Sequence, residues 1–231
     1  NGSLARQDDG AATPQLDIDL SGNVIDLAAL RALAGLMVGE DVNGGLSRHR
    51  IAATLKAETL HAFDLTAHDV DAAFTYQSGN VTFDNVSVGD LAGAKLTVTG
   101  QAQTGEGQSG SARVSISAAD ISAFVSALED RFGEHPVLTM LGDNAYWYEN
   151  TDLSGDVTFG QGGDGAALVF RGTANGSKIA GSWRLDGLSA DAGMSGQLQV
   201  SNTDAAVVFG QAGLSPLPIP GPAGAQFSLT I

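Results

Sequence analysis

The chain has 231 residues, which is enough for one large all-β domain or for two ordinary domains with a real core. Eleven basic residues stand against 26 acidic ones, and the formal net charge of −15 disfavours nucleic acid and acidic membrane surfaces as partners. Because there is no cysteine, disulfides and thiolate zinc sites are excluded, and this composition fits an exported bacterial protein.

Both ends of the chain are predicted to belong to a longer protein. Residues 1–14 show no hydrophobic period and are interpreted as a flexible lead-in without an initiator methionine. The alternating segment from Gln226 to Ile231 stops without a turn, as if the next hairpin had been cut. No apolar run approaches the roughly 18 residues that a membrane-spanning helix needs. We therefore expect no membrane span in this segment.

A strand that runs into a capped helix occurs three times in the chain. The polar pair at each helix start is Asn23 and Asp26, then Ser117 and Asp120, then Ser201 and Asp204. The first member is predicted to accept a hydrogen bond from a first-turn amide, and the aspartate is stabilised by the helix dipole. This pattern divides the chain into a first repeat (residues 15–110), a second (111–195) and the start of a truncated third (196–231).

Between the first two helices the hydrophobic period is two. The alternation from Ile51 to Gln103 predicts antiparallel strands with one apolar and one polar face, joined by turns such as Ser78-Gly79-Asn80 and Ala92-Gly93. The pattern breaks at Asp69, and a slip of one residue at Asp84-Asn85 predicts a β-bulge.

The second and third repeats also begin with a strand and a helix, but the segments that follow differ from those of the first repeat. A helix is predicted from Ala118 to about Phe132, followed by an irregular apolar insert over residues 137–148 and further strands. The third repeat keeps a strand, a short helix and a proline-rich segment over residues 214–222. The sequence thus predicts a mainly β (α+β), repeat-built fold of curved antiparallel meander sheets with about three short amphipathic helices.

No pattern of reactive residues indicates catalysis. The glycine-rich run from Gly160 to Gly165 matches a dinucleotide-binding motif, but it precedes a predicted strand where that motif needs a helix, so a hairpin loop is expected. The histidines are His49, His61, His68 and His135. The pair of Asp64 and His68 does not define a metal site, and there is no nucleophile elbow. We expect no enzyme activity, no metal and no cofactor.

The helix start Asp26-Leu27-Ala-Ala-Leu30 and the glycine-punctuated strand pairs from Gly79 to Gly100 resemble the AsmA-like proteins of the Gram-negative envelope. The resemblance covers Leu16–Gly100 best and Ser111–Leu188 more loosely. It implies a periplasmic protein, tethered to the inner membrane outside this segment, with a long apolar β-groove related to bridge-like lipid carriers. It also implies a part in phospholipid transport or outer-membrane biogenesis, and no catalytic residues.

Apolar side chains on the predicted strands are the candidate lipid contacts: Leu55, Phe74, Tyr76, Phe83, Leu96, Phe170 and Trp183. The expected partners are phospholipid acyl chains and other segments of envelope proteins. Two alternatives stay open. One is a structural or interaction module whose core is filled by its own helices. The other is a carbohydrate-binding or hydrolytic domain built around Tyr146-Trp147-Tyr148, although such an aromatic cluster more commonly plugs one end of a sheet core.

Overall fold

The computed structural model describes residues 2–7, 15–29, 50–62, 64–104, 108–133, 136–160, 165–186, 193–215 and 224–230. Strands make up 66% of these residues, so the predicted mainly β class is confirmed. The chain forms two compact units. Unit 1 comprises Asn1–Leu91 and Leu96–Ala112, and unit 2 comprises Ala92–Lys95 and Arg113–Ile231. In each unit the strands lie side by side in the order of the chain.

Unit 1 is built from an antiparallel meander and one parallel strand pair. Its strands are β1 (Gly2–Gln7), β2 (Gln15–Asp26), β3 (Arg50–Ala62), β4 (Leu65–Gln77), β5 (Asn80–Leu91) and most of β6 (Ala94–Gln103). β3, β4 and β5 pair antiparallel, as the alternation predicts. β2 and β3, by contrast, are parallel, so the sheet is mixed. A parallel pair requires a long crossover, and the 23 residues between Asp26 and Arg50 are long enough to provide it.

The amino-terminal segment differs from its prediction as an irregular lead-in. Gly2–Gln7 form β1, which pairs antiparallel with β2 from Gly2 opposite Leu20 to Gln7 opposite Gln15. Backbone hydrogen bonds to a neighbouring strand need no hydrophobic period, which is why the sequence gives no sign of β1. The rest of the lead-in, residues 8–14, lies outside the described residues.

The hairpin turns of the chain follow the predicted chemistry. Ser78-Gly79, Ala92-Gly93 and Asn175-Gly176 each have positive φ at both positions, the geometry that two-residue hairpins prefer. The predicted bulge is confirmed as well, because Ala73 pairs with Asn85 and Phe74 with Phe83, which leaves Asp84 as the extra residue. This extra residue keeps the apolar side chains of β5 on one face of the sheet.

The apolar side chains of unit 1 stay on one face of the sheet although their alternation along β4 shifts by one residue at a second position. Ala67 and Val70 are both buried in one cluster although they lie three residues apart on β4. Between them Asp69 has a φ of +52°, which turns the strand by one residue at the predicted break. A Cβ on Gly89 of β5 would come within 2.7 Å of the Asp69 Cβ, so the neighbouring strand has a glycine there.

Unit 2 packs helices against one end of an antiparallel sheet. Its strands are most of β7 (Ser109–Ala118), then β8 (Thr151–Phe159), β9 (Ala166–Ala174), β10 (Ser177–Leu185), β11 (Met194–Asn202) and β12 (Ala225–Thr230). Its helices are α1 (Ser122–Phe132), α2 (Pro136–Asp143), a 3₁₀ turn (Ala145–Tyr148) and α3 (Ala205–Gln211). The helical α2 replaces the predicted irregular insert, and a proline in its first position suits the fixed φ of a helix start.

In each repeat the aspartate, and not the polar residue three positions before it, accepts a hydrogen bond from a first-turn amide of the helix. Asp26 Oδ1 accepts from the Ala29 amide at 3.0 Å, and Asp204 Oδ1 accepts from the Ala206 amide at 2.9 Å. Asp120 Oδ1 accepts from both the hydroxyl and the amide of Ser122, and these two bonds lower the pKa of Asp120 below its usual value. The prediction that Asn23, Ser117 and Ser201 provide the caps is wrong. Each of them is separated from the first free amide by two or more residues of strand or turn.

The first predicted helix is described only at its start. Leu27, Ala28 and Ala29 are helical, and residues 30–49 lie outside the described residues. The same holds for Phe63, for residues 161–164 of the glycine-rich run and for most of the proline-rich segment, residues 216–223. Within the described ranges no helix is both long and apolar enough to cross a membrane.

Candidate functional site

Four of the seven candidate lipid contacts share the apolar face of unit 1. Phe74 of β4 lies directly opposite Phe83 of β5 and Ala53 of β3. Tyr76 lies opposite Ile51 and Val81, and Leu55 lies opposite Ala72. Residues directly opposite one another point to the same side of a sheet, so these side chains form one continuous surface.

Burial decreases along this face. Ile25, Ala57, Ala67 and Val70 form a buried cluster with exposures between 4% and 9%. Phe74, Tyr76 and Phe83 lie further along the same strands and are only half-buried. Leu96, on β6, is also half-buried between the exposed Lys95 and Thr97. Unit 1 therefore presents a packed region and a partly accessible aromatic region on the same face.

The other two candidates share the apolar face of unit 2. Phe170 of β9 lies opposite Gly181 of β10, and Trp183 lies opposite Leu168 and Gly196. A Cβ on Gly181 would come within 2.5 Å of the Phe170 ring, and one on Gly196 within 2.6 Å of the Trp183 ring. Each ring therefore packs against a glycine of the next strand, and both side chains are half-buried.

Among the described residues, helices close one end of the unit 2 face. Val125 of α1 and Ile121 just before it, Tyr148 of the 3₁₀ turn and Val208 of α3 form a cluster with the strand residues Ala174, Ile179 and Val200. Phe170 packs at the border of this cluster. Leu185, at the opposite end of β10, is 37% exposed. The apolar face thus runs from a helix-covered end, past Phe170, towards Trp183 and an exposed leucine.

A buried hydrogen-bond network joins the helices to the strand ends. The side chain of Gln211, which is 0% exposed, donates to the carbonyl oxygens of Trp147 and Ala174 and accepts from the Ser177 hydroxyl. The main-chain carbonyl oxygen of Gln211 accepts from the Tyr148 hydroxyl at 2.5 Å. Among the described residues no buried side-chain polar atom lacks a partner. The covered end is therefore closed by satisfied polar contacts rather than left as a polar cleft.

The aromatic cluster of the second repeat contributes mainly to this closed end. Tyr148 is buried, and Trp147 packs against the core with its ring over Gly210 of α3. Tyr146 is 70% exposed and meets Trp147 edge to face at a ring distance of 5.3 Å. Burial raises the pKa of Tyr148 to about 12, so this hydroxyl stays neutral near neutral pH. Two of the three aromatic residues thus plug the sheet core, as such clusters commonly do.

The residues considered for metal or nucleotide binding have ordinary structural contacts. His61 pairs with Thr66, and His68 with Thr59, across β3 and β4 at 3.0 and 3.2 Å. His49 and His135 lie outside the described residues. In the described part of the chain no three metal-binding side chains come together. The Gly160 amide donates to the Gly165 carbonyl, and β8 and β9 pair antiparallel on either side of the glycine-rich run. The element after the run is thus a strand, as predicted, and not the helix that the dinucleotide motif needs.

The sequence located the candidate side chains but missed the glycines beneath two of them. Gly181 and Gly196 leave room for the rings of Phe170 and Trp183. The sequence contains a sign of this packing, because glycines alternate with apolar residues on β10 and β11. Comparisons with protein-family models, curated proteins and solved structures find no match for this chain.

Proposed function

We propose that the chain is a non-catalytic segment of a periplasmic AsmA-like protein and that its apolar sheet faces shield phospholipid acyl chains from water during lipid transport or outer-membrane biogenesis. The observation that supports this proposal is the arrangement of half-buried aromatic side chains on one face of each unit, Phe74 and Phe83 in unit 1 and Phe170 and Trp183 in unit 2.

The proposed mechanism is passive. An acyl chain lying on such a face removes apolar surface from water, and each buried methylene contributes about 0.8 kcal/mol. Among the paired positions of β3, β4 and β5 on this face no side chain is charged. Binding there therefore depends on chain length more than on the head group. Side chains alternate between the two faces on either side of the phase changes at Asp69 and Asp84, so the opposite face stays polar and solvated.

The experiment is binding of a fluorescent fatty acid to the purified chain, together with extraction of any lipid that co-purifies. Replacing both Phe74 and Phe83 by serine removes the two paired rings and is expected to weaken binding about tenfold or more. Thr75 and Thr82 are paired with each other on the opposite face, so the double change to serine there is the matched control and is expected to bind like wild type.

Two outcomes would contradict the proposal. One is protein that contains no lipid and takes up no fatty acid. The other is equal binding by the phenylalanine and threonine variants.

The second candidate function is a structural or interaction module of a large envelope protein. The helix-covered end of unit 2 favours it, because α1, α3 and the 3₁₀ turn already fill that part of the face. This candidate predicts that the chain takes up no acyl chain while its unfolding stays cooperative.

A further inference from the structure

The outer face of unit 2, opposite to the apolar one, carries positive charge in an acidic protein. Its side chains include Arg113, Arg171, Lys178 and Arg184, and its acidic side chains in the described residues are Asp152 and Asp156. The whole chain has 11 basic residues and a net charge of −15. This face therefore holds an excess of positive charge that the composition of the chain does not suggest.

Only one of these four cations forms an ion pair with a described residue. Arg113 Nε lies 2.9 Å from Asp156 Oδ1. Arg171, Lys178 and Arg184 form no ion pair within the described part of the chain, and all three are exposed. Their charges are thus available to a ligand in solution.

A groove runs along β10 on this face. Its floor is formed by the small side chains of Ala180 and Ser182. One wall is Val169 and Arg171 of β9, and the other wall is Gln197 and Gln199 of β11. Beyond the β9 wall the depression continues over β8 to Ser154 and to Asp156, whose charge is paired with Arg113. The register confirms this placement, since Ala180 lies opposite Arg171 and Gln199, and Ser182 lies opposite Val169 and Gln197.

The dimensions of the groove suit an extended ligand. Its walls stand on strands two positions apart, so they are about 10 Å from each other. The depression at its centre has a volume of about 350 Å³. Lys178 and Arg184 lie on the same strand as the floor, one beyond each end, and six residues of strand separate them by about 20 Å. The groove is thus small in its middle and cationic at both ends.

The side chains of the groove define the chemistry of its ligand. Arginine and lysine bind carboxylate or phosphate, whereas Ser182, Gln197 and Gln199 donate and accept hydrogen bonds as hydroxyl groups require. Val169 is 59% exposed and offers an apolar contact in the wall. A chain that carries both acidic groups and many hydroxyls matches this combination.

We propose that the groove along β10 binds an anionic oligosaccharide, a sugar chain carrying carboxylate or phosphate groups. Arg171 and Arg184 bind the acidic groups, and the two glutamines with Ser182 bind the hydroxyls. The site lies on the face opposite to the acyl-chain surface, and of the proposed lipid contacts only Phe170 borders it among the described residues. None of the side chains proposed to bind the sugar belongs to that surface, so the proposal does not rest on the lipid function.

The test is titration of the chain with tetragalacturonate, a carboxylated oligosaccharide, followed by calorimetry and by NMR of the glutamine side-chain amides. We expect shifts at Gln197 and Gln199 and an affinity that falls as salt is raised. The methyl ester of the same sugar retains the hydroxyls without the charge, and it is expected to bind at least tenfold more weakly. No binding of tetragalacturonate, or equal binding of the ester, would overturn the proposal.

Variants of the chain distinguish binding in the groove from nonspecific attraction of the ligand to positive charge. The double change Arg171→Gln with Arg184→Gln is expected to lower the affinity at least tenfold, and Ala180→Phe, which fills the floor and keeps every charge, is expected to do the same. Lys56→Gln removes an exposed cation from unit 1 and should leave binding unchanged. Wild-type affinity of the Ala180 variant, or an equal loss in the Lys56 variant, would contradict the site.

A hexaglutamate peptide tests the other class of anionic ligand. Tighter binding of this peptide than of tetragalacturonate would assign the groove to acidic protein segments and overturn the oligosaccharide. All substituted positions are on exposed strand surfaces, and far-ultraviolet circular dichroism verifies that each variant is folded.

Discussion

At the scale of single residues, Gln211 is the polar side chain on which the closed end of unit 2 depends. Its amide group joins α3 to the 3₁₀ turn through Trp147 and to β9 through Ala174. Ser177 completes the contact from β10. Nothing in the sequence indicates this role, because a glutamine at the end of an apolar helix is typical of an exposed position. Burial of an amide becomes favourable only when three separate elements offer it partners.

We predict that Gln211→Leu destabilises the chain by about 2–4 kcal/mol, since it leaves two buried carbonyl oxygens and one hydroxyl without their partner. The measurement is urea unfolding followed by circular dichroism. Gln226→Leu, the same change at an exposed position of β12, should alter the free energy of unfolding by less than about 0.5 kcal/mol. Equal effects of the two variants would mean that the network contributes nothing.

The raised pKa of Tyr148 predicts how the stability of the chain changes at alkaline pH. Burial raises its pKa from 10.0 to about 12 in the folded chain, so the folded state keeps the proton that the unfolded state releases. The contribution is fully present below pH 10 and is lost as the pH rises towards 12. We therefore expect stability to fall across this range, and to fall less in Tyr148→Phe, when unfolding is measured at several pH values. An identical pH dependence in both proteins would contradict the raised pKa.

At the scale of elements, the sequence predicted strands, turns and the bulge better than it predicted the helices. Alternation is a local signal, and Asp84 and Asp69 interrupt it visibly. The strands β4 and β5 and their irregular positions could therefore be predicted from the sequence. The cap position was not, because Ser117 and Asp120 both have side chains that can cap and only the end of β7 decides between them. The parallel pairing of β2 and β3 depends on a long-range contact that no local pattern specifies.

The distance between a glycine and the neighbouring strand predicts how much stability is lost when the glycine is replaced by alanine. A Cβ on Gly172 of β9 would overlap the Asp152 carbonyl oxygen and lie 2.8 Å from the Leu153 Cα, so β8 and β9 would have to separate. We expect Gly172→Ala to destabilise the chain by about 2 kcal/mol or more in thermal unfolding. Gly22→Ala is the control, since its nearest neighbour would be 3.4 Å away, and it should be neutral or slightly stabilising. A tolerated Gly172 variant would show that this strand pair is looser than described.

The two tryptophans report separately on the covered and accessible parts of the unit 2 face. Trp147 packs among the helices, whereas Trp183 lies on the sheet beside Gly196 and is half-buried. A brominated fatty acid quenches tryptophan fluorescence on contact, so we expect strong quenching in Trp147→Phe, which retains Trp183. Quenching should be weak in Trp183→Phe. The reverse order would place the acyl chain at the helices and not on the sheet.

At the scale of the whole molecule, the two faces of the sheet have different chemistry. Apolar residues on alternate positions make one face in each unit, and this much was predictable because the alternation is written in the sequence. The basic groove of unit 2 was not, because it depends on the pairing of β9 and β11 with β10, and only this register brings Arg171 and the two glutamines beside the floor of the groove. Net charge averages over both units and conceals such a local excess.

The most direct test of the central claim is photo-crosslinking with a phospholipid whose acyl chain carries a diazirine, followed by mass spectrometry of the labelled peptides. The account predicts labels on Phe74 and Phe83 in unit 1 and on Phe170 and Trp183 in unit 2, with none on the opposite-face residues Thr75 and Arg171. Labels distributed equally over both faces, or no labelling of the folded chain, would contradict it.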